Sequence, residues 1–266
     1  MDSAAAALLA CPACGQPLVL TPGTLGCERG HSFDLARQGY VNLLGGPEPA
    51  NADTAAMLQA RARVHASGLF EAVAAAVASE AAGPRLLEVG AGNSHYLARA
   101  LGEDRQAVGV ALDVSKAAAR ASVRADPRIA AVVADVWRPL PIRERCLDAV
   151  LCVFAPRNLP EFARVLRASG RLVVATPNVG HLVELRDRYG LLQVPADKAE
   201  QLVEAAGPHL ELLSSQAIIH TVVATPGLAG DLIAMGPNAF HTVPEQVSGH
   251  SVTIDVTVQT FRPLPT

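Results

Sequence analysis

Four residues near the amino terminus stand at the spacing of a metal site. Cys11-Pro-Ala-Cys14 is a CxxC knuckle, and Cys27-Glu-Arg-Gly-His31 supplies a second arm after a short spacer. Three thiolates and one imidazole satisfy a tetrahedral zinc ion, and paired close-spaced arms are how small loop-rich modules hold one. Four protein ligands leave no open position. The spacing therefore predicts a structural zinc on Cys11, Cys14, Cys27 and His31, not a catalytic one. The segment carries too little apolar sequence to fold unaided, so metal binding would supply much of its folding free energy.

A second group lies in the middle of the chain. Leu86-Leu87-Glu88-Val89-Gly90-Ala91-Gly92-Asn93-Ser94 reads as a strand running into a glycine turn and then a helix. Glycines there let the backbone approach a ligand at the carboxyl end of the first strand. Asp113 closes the next strand, about 20 residues on, where an acid grips a ribose diol. Asp135 closes the third strand and can accept a hydrogen bond from an adenine amino group. Dinucleotides and S-adenosylmethionine both bind this architecture. The dinucleotide fingerprint GxGxxG fails, because position 95 is His95. The pattern acid-x-Gly-x-Gly-x-Gly matches at Glu88, Gly90 and Gly92 and then meets Ser94.

The elements that must hold these residues follow from hydrophobic patterning. Gly45-Gly46-Pro47-Glu48-Pro49 breaks the chain, and a helix is predicted from about 55 to 82 with a break at Gly68. Apolar runs at 85–89, 107–112, 129–134, 147–154 and 171–176 read as strands, with helices at 94–101, 115–125 and 159–166. Continuous apolar strands separated by helices mean a parallel sheet covered on both faces. The fold class is α/β, a doubly wound Rossmann-like domain, with a small N-terminal zinc-binding module. Beyond Pro177 the expectations are a helix at 181–192, a strand region at 211–225, a short apolar stretch at 231–234 and a closing strand at 251–261. The division is a zinc module at 1–46, a helical linker at 47–83 and the cofactor-binding domain at 84–266.

Composition sets the outer bounds. Half of the 266 residues are hydrophobic, enough for a core, and the net charge of −3 excludes a globally basic coat for nucleic acid. The Ala-rich start, residues 4–10, is too short for a membrane span and has no basic lead-in for a secretory signal. Five cysteines, an odd number with three clustered, argue against a secreted disulfide scaffold and for the cytoplasm.

From residue 11 to about 263 the chain resembles the RlmA family of 23S ribosomal RNA guanine-N1 methyltransferases, closest to its actinobacterial macrolide (tylosin)-resistance branch. The resemblance is carried by the Cys/His motifs with Ser32-Phe-Asp34, by Gln38-Gly-Tyr-Val-Asn-Leu-Leu44, Met57-Leu-Gln-Ala-Arg61, Leu112-Asp-Val-Ser-Lys116 and Ala134-Asp-Val-Trp137. Phe154-Ala-Pro-Arg-Asn158, Ala175-Thr-Pro177 with His181, Leu182, Glu184 and Leu185, and Met235-Gly-Pro237 complete it. It implies a zinc module that helps recognise an RNA hairpin, a class I methyltransferase domain using S-adenosylmethionine, and commonly a homodimer. In the resistance branch the methylated base lies where macrolides bind. Ser94 stands in place of the family's third glycine, beside the methionine end of the cofactor. Phe240 stands where relatives have tryptophan, an aromatic stacking position. The zinc module is nearly uncharged, so RNA binding would lean on helix arginines such as Arg61 and Arg63.

Methyl transfer to guanine N1 needs an exposed base, an in-line approach and a group to take the proton. The catalytic candidates are His181, Glu184 and Asn158, with His181 and Glu184 three apart on a predicted helix and hence on one face. A solvated helix face explains that pair equally well, and no single base is assigned. Tyr40 and Trp137 read as core. Two other readings stay open: a methyltransferase of the same ancestry acting on a small molecule in antibiotic biosynthesis, and a non-catalytic RNA-binding relative.

Overall fold

The computed structural model describes residues 1–81, 83–240, 244 and 246–265. The chain opens with α1 (Ser3–Ala6), where the Asp2 carboxylate accepts hydrogen bonds from the Ala4 and Ala5 N–H groups. Strands β1 (Val19–Thr21), β2 (Thr24–Gly26) and β3 (Ser32–Asp34) form a three-stranded antiparallel sheet. Strand β4 (Val41–Asn42) leaves this sheet and pairs with the main one. Helix α2 (Ala55–Ala66) is capped by Thr54, whose hydroxyl accepts from the Met57 N–H, and α3 (Glu71–Glu80) follows the expected break at Gly68.

Alternation then begins: β5 (Arg85–Val89), α4 (His95–Leu101), β6 (Val108–Asp113), α5 (Lys116–Ala125), β7 (Ile129–Val133), β8 (Leu147–Val153), α6 (Leu159–Val165) and β9 (Leu166–Pro177). Each predicted strand here is found. The apolar runs are strands because both faces are covered: β7 is buried at every position, and so is β5 after its first residue. The carboxyl-terminal part holds α7 (Val183–Tyr189), α8 (Lys198–Ala206), β10 (Leu210–Ala224), α9 (Pro226–Ala234) and β11 (His250–Pro263).

The main sheet has eight strands in the order β10-β11-β9-β8-β5-β6-β7-β4. It is doubly wound, but mixed: β11 runs antiparallel to both β9 and β10, while the pairs from β9 across to β4 are parallel. The connection from β10 to β11 carries α9 but brings the chain back antiparallel, so this edge departs from the parallel pattern. On one face lie α6, α8 and the N-terminal module, with Leu9, Leu18, Leu25, Phe162 and Leu202 in one continuous core. On the other lie α3, α4, α7 and α9, around Phe70, Val73, Leu97 and Leu185.

Three expectations are corrected. The helix expected at 181–192 is shorter, because Leu182 and Gly190 both adopt left-handed conformations and bound α7. His181 therefore precedes the helix and does not share a face with Glu184. The apolar stretch at 231–234 is the end of α9, started by Thr225 and Pro226. Trp137 is not core: it is 66% exposed. Tyr40 is buried, as expected.

Candidate functional site

The metal-spaced residues converge. The ligand atoms of Cys11, Cys14, Cys27 and His31 all lie within 4.8 Å of one another. The Cys14 and Cys27 sulfurs are 3.7 Å apart, and His31 Nδ1 is 3.6 Å from Cys11 Sγ and 3.4 Å from Cys27 Sγ. Zinc–sulfur bonds of about 2.3 Å put tetrahedral sulfur neighbours about 3.8 Å apart, so the quartet has the edge lengths of a closed zinc site. Burial pushes the Cys11 thiol up. At Cys27 hydrogen bonds from His31 and Arg29 outweigh desolvation and bring the thiol down to about 6, into the thiolate range a metal ligand needs.

A cavity of about 840 Å³ opens over the carboxyl ends of β5 to β8, at the point where the strand order reverses. Glu88, Gly90, Asp113 and Asp135 line it. Gly90 has φ +65°, donates its N–H to Leu112 O at 2.8 Å, and would put a Cβ 2.5 Å from that of Ala155. Only glycine fits there. The Asp113 carboxylate accepts from the Gly92 N–H at 2.9 Å and the Ser115 N–H at 2.8 Å, locking the glycine turn to the start of α5. Burial raises its pKa. Each carboxylate oxygen keeps a lone pair for a diol. Glu88 is 2% exposed, accepts from the Leu97 N–H, and burial pushes it from 4.5 up to about 8. Asp135 accepts from the Trp137 N–H and pairs with Arg138 at 3.7 Å.

Ser94, which stands in place of the third glycine of the motif, adopts the glycine conformation with φ +58°. It is fully buried, and its hydroxyl donates to Ser122 Oγ at 2.7 Å. The side chain is thus held on α5, so it does not crowd the cavity. At Gly92 a Cβ would strike the Arg61 guanidinium, so its missing side chain makes room for an arginine from α2.

Of the catalytic candidates, His181 lines the cavity. Burial lowers its pKa to about 4, so the ring is neutral at physiological pH. Its Nδ1 accepts from the Asp255 N–H at 3.3 Å, which leaves Nε2 to carry the proton. Glu184 instead accepts from the Thr253 N–H and hydroxyl, tying α7 to β11. Asn158 donates to Val136 O at 2.8 Å and supports the loop after β7.

Several further residues line the cavity. Phe154, left-handed at φ +53° and 42% exposed, stacks against His181 with ring centres 5.8 Å apart. Such a backbone is uncommon for a bulky residue and turns the ring out at the strand end. Trp137 and Phe240 add exposed aromatic surface, and Arg157 and Lys198 bring positive charge to the same rim, whereas Arg186 is buried with its guanidinium donating to His181 O, Val179 O and Gln193 Oε1. A helical period marks one more group: Met57, Arg61 and His65, four apart on α2, all face the cavity. Arg63, by contrast, points outward and pairs with Asp231 at 2.6 Å.

Residues 9–48 match the zinc-ribbon family model described as "RlmA, N-terminal", and residues 87–174 match "Methyltransferase domain". The chain is 42% identical, over 97% of both sequences, to a "23S rRNA (guanine(748)-N(1))-methyltransferase" of Streptomyces fradiae. A Micromonospora griseorubida relative named for the guanine-N(1) reaction on 23S rRNA is 40% identical over 96% of this chain and 97% of its own. Among solved structures, a Haloferax volcanii methyltransferase complexed with the Trm112 activator aligns with a TM-score of 0.52 at 17% identity, covering 79% of this chain and 98% of that one.

Proposed function

The chain belongs to the RlmA family of S-adenosylmethionine-dependent 23S rRNA guanine-N1 methyltransferases, and from that premise we propose that it methylates N1 of a guanine in a 23S rRNA hairpin. The observation that carries this is the 42% identity running through both the Cys/His module and the methyltransferase domain. The cavity supports an RNA acceptor. Its rim joins exposed Trp137, Phe154 and Phe240 to Arg157 and Lys198, which suits a splayed base with its phosphates.

S-adenosylmethionine, when bound, supplies an electrophilic methyl group on a sulfonium. Asp113 holds its ribose, Asp135 lies on the adenine side, Gly90 gives the backbone room beside it, and Glu88 fixes the start of α4. Phe154 stacks on the target base. His181, neutral and protonated on Nε2, donates a hydrogen bond to guanine O6, where negative charge gathers as the N1 proton passes to solvent water. Glu184 and Asn158 hold the surrounding loops. Cys11, Cys14, Cys27 and His31 bind one zinc ion, which orders the N-terminal module against the sheet.

Residues 1–46 form the zinc module, 47–83 the helical linker and 84–266 the methyltransferase domain. The protein works in the cytoplasm as a homodimer and confers macrolide resistance. Among the described residues no helix is long and apolar enough to cross a membrane. Transfer of label from S-adenosylmethionine to unmodified 23S rRNA, run beside macrolide precursors as acceptors, tests the substrate. Label in the precursors alone would favour the small-molecule reading.

A further inference from the structure

The cofactor of this enzyme ends in a zwitterion, a carboxylate beside an ammonium, and a cleft must meet both charges. At the glycine turn the structure places one guanidinium, that of Arg61. It crosses from α2 to lie against Gly92, in the space a side chain there would fill. Its Nη1 pairs with Asp53 at 2.6 Å, and its Nη2 donates to Met235 O at 2.6 Å. Arg61 thus joins α2, the loop before it, the end of α9 and the glycine turn. A guanidinium has five N–H donors, and two are engaged here among the described residues. Three remain on a side chain that is 21% exposed and lines the cavity. The positive field of Arg61 also reaches Glu88, Tyr96 and Asp113.

We propose that Arg61 is the anchor for the methionine carboxylate of S-adenosylmethionine, gripping it through its free N–H groups while Asp53 holds the guanidinium in place. This rests on the reading of the cleft as the cofactor site. It removes Arg61 from the set of arginines expected to touch RNA. It also gives Gly92 a purpose that the glycine motif alone does not show: clearance for the guanidinium. A planar fork facing a carboxylate adds geometric selectivity to the charge. Asp53 lines the same cavity, and its carboxylate brings negative charge suited to the neighbouring ammonium.

The test compares S-adenosylmethionine with its decarboxylated form, which lacks only the carboxylate, by calorimetric titration of the zinc-loaded full-length protein. Wild type should bind the decarboxylated form roughly 10- to 100-fold more weakly, the loss of a charged hydrogen-bonded pair. Arg61→Gln should lose a similar factor for S-adenosylmethionine and leave the decarboxylated form within about threefold of wild type, abolishing the discrimination. Arg61→Lys should recover part of it. A merely structural clamp lowers both affinities together, and that result would overturn the proposal. So would a wild type that binds both ligands equally, a measurement that stands even where Arg61→Gln does not fold. Binding of neither ligand by folded wild type would sink the cofactor reading itself, a pattern distinct from binding without discrimination.

Discussion

Replacing Glu88 by glutamine should change how stability depends on pH in a way worked from one buried carboxyl. Glu88 is 2% exposed at the end of β5, and burial, with Asp113 adding to it, raises its pKa from 4.5 to about 8. The sign follows from linkage. A carboxyl whose folded pKa is raised leaves stability intact below 4.5 and removes it progressively as pH rises toward 8, because the unfolded chain releases the proton more readily. Between pH 5 and pH 8 that loss is roughly 3 kcal/mol, from 1.36 kcal/mol for each tenfold change in proton activity. The amide of the Glu88→Gln variant has no proton to release, so the variant should gain on wild type by that amount over the interval. Urea unfolding of both proteins without cofactor, at pH 5, 6, 7 and 8, measures the difference, and contributions of unrelated groups cancel in it. Stability curves that stay parallel across the interval would refute the burial argument.

The metal reading predicts unit zinc stoichiometry in protein never exposed to chelator, and a cooperative loss of thermal stability on Cys14→Ser, because Leu9, Leu18 and Leu25 share the core of the main sheet. Zinc-free protein with an unchanged melting point would contradict it. Asp113→Ala should weaken S-adenosylmethionine binding by about 1–3 kcal/mol, read by calorimetry, and unchanged affinity would remove Asp113 from the ribose. His181→Ala should lower kcat roughly 100-fold with cofactor affinity unchanged, as for loss of one donor at a developing charge. In wild type, with His181 brought down to about 4, activity should show no rise through the ordinary histidine range near pH 6.5. An inflection there that His181→Ala abolishes would mark it as a titrating base. Trp137, the chain's one tryptophan and 66% exposed at the cavity rim, should report RNA binding by fluorescence quenching, and an unchanged spectrum on a saturating RNA would place the rim elsewhere.

What was legible in the sequence was local. The zinc quartet is set by two short arms, and β5, β6 and β7 are short apolar runs buried on both faces, so pattern and spacing suffice for them. The glycine turn with Asp113 is likewise a strand-end signal. What escaped depends on packing between distant segments. Arg61 meets Met235 across the fold, and only its four-residue spacing from Met57 and His65 hinted at a shared inward face. Helix α8 buries just Leu202 and Ala206, too few positions to show a period. Ser94 breaks the glycine pattern in letter but keeps its backbone, because Ser122 takes up the hydroxyl. The His181–Glu184 pair failed for a conformational reason: Leu182 is left-handed and separates them. Trp137 sits in an apolar-looking stretch, yet the Asp135 carboxylate accepts from its backbone N–H in a turn and the ring is exposed.

The central claim is transfer of a methyl group to guanine N1 in 23S rRNA, and a primer-extension map tests it most directly. N1 methylation removes a Watson–Crick donor and halts reverse transcription at that base. Purified zinc-loaded protein, S-adenosylmethionine and 23S rRNA from a strain lacking the modification should give one new stop, at a single hairpin guanine, that disappears when the cofactor is omitted. Methyl label that appears only on a small-molecule acceptor, with no new stop anywhere in the RNA, would contradict it.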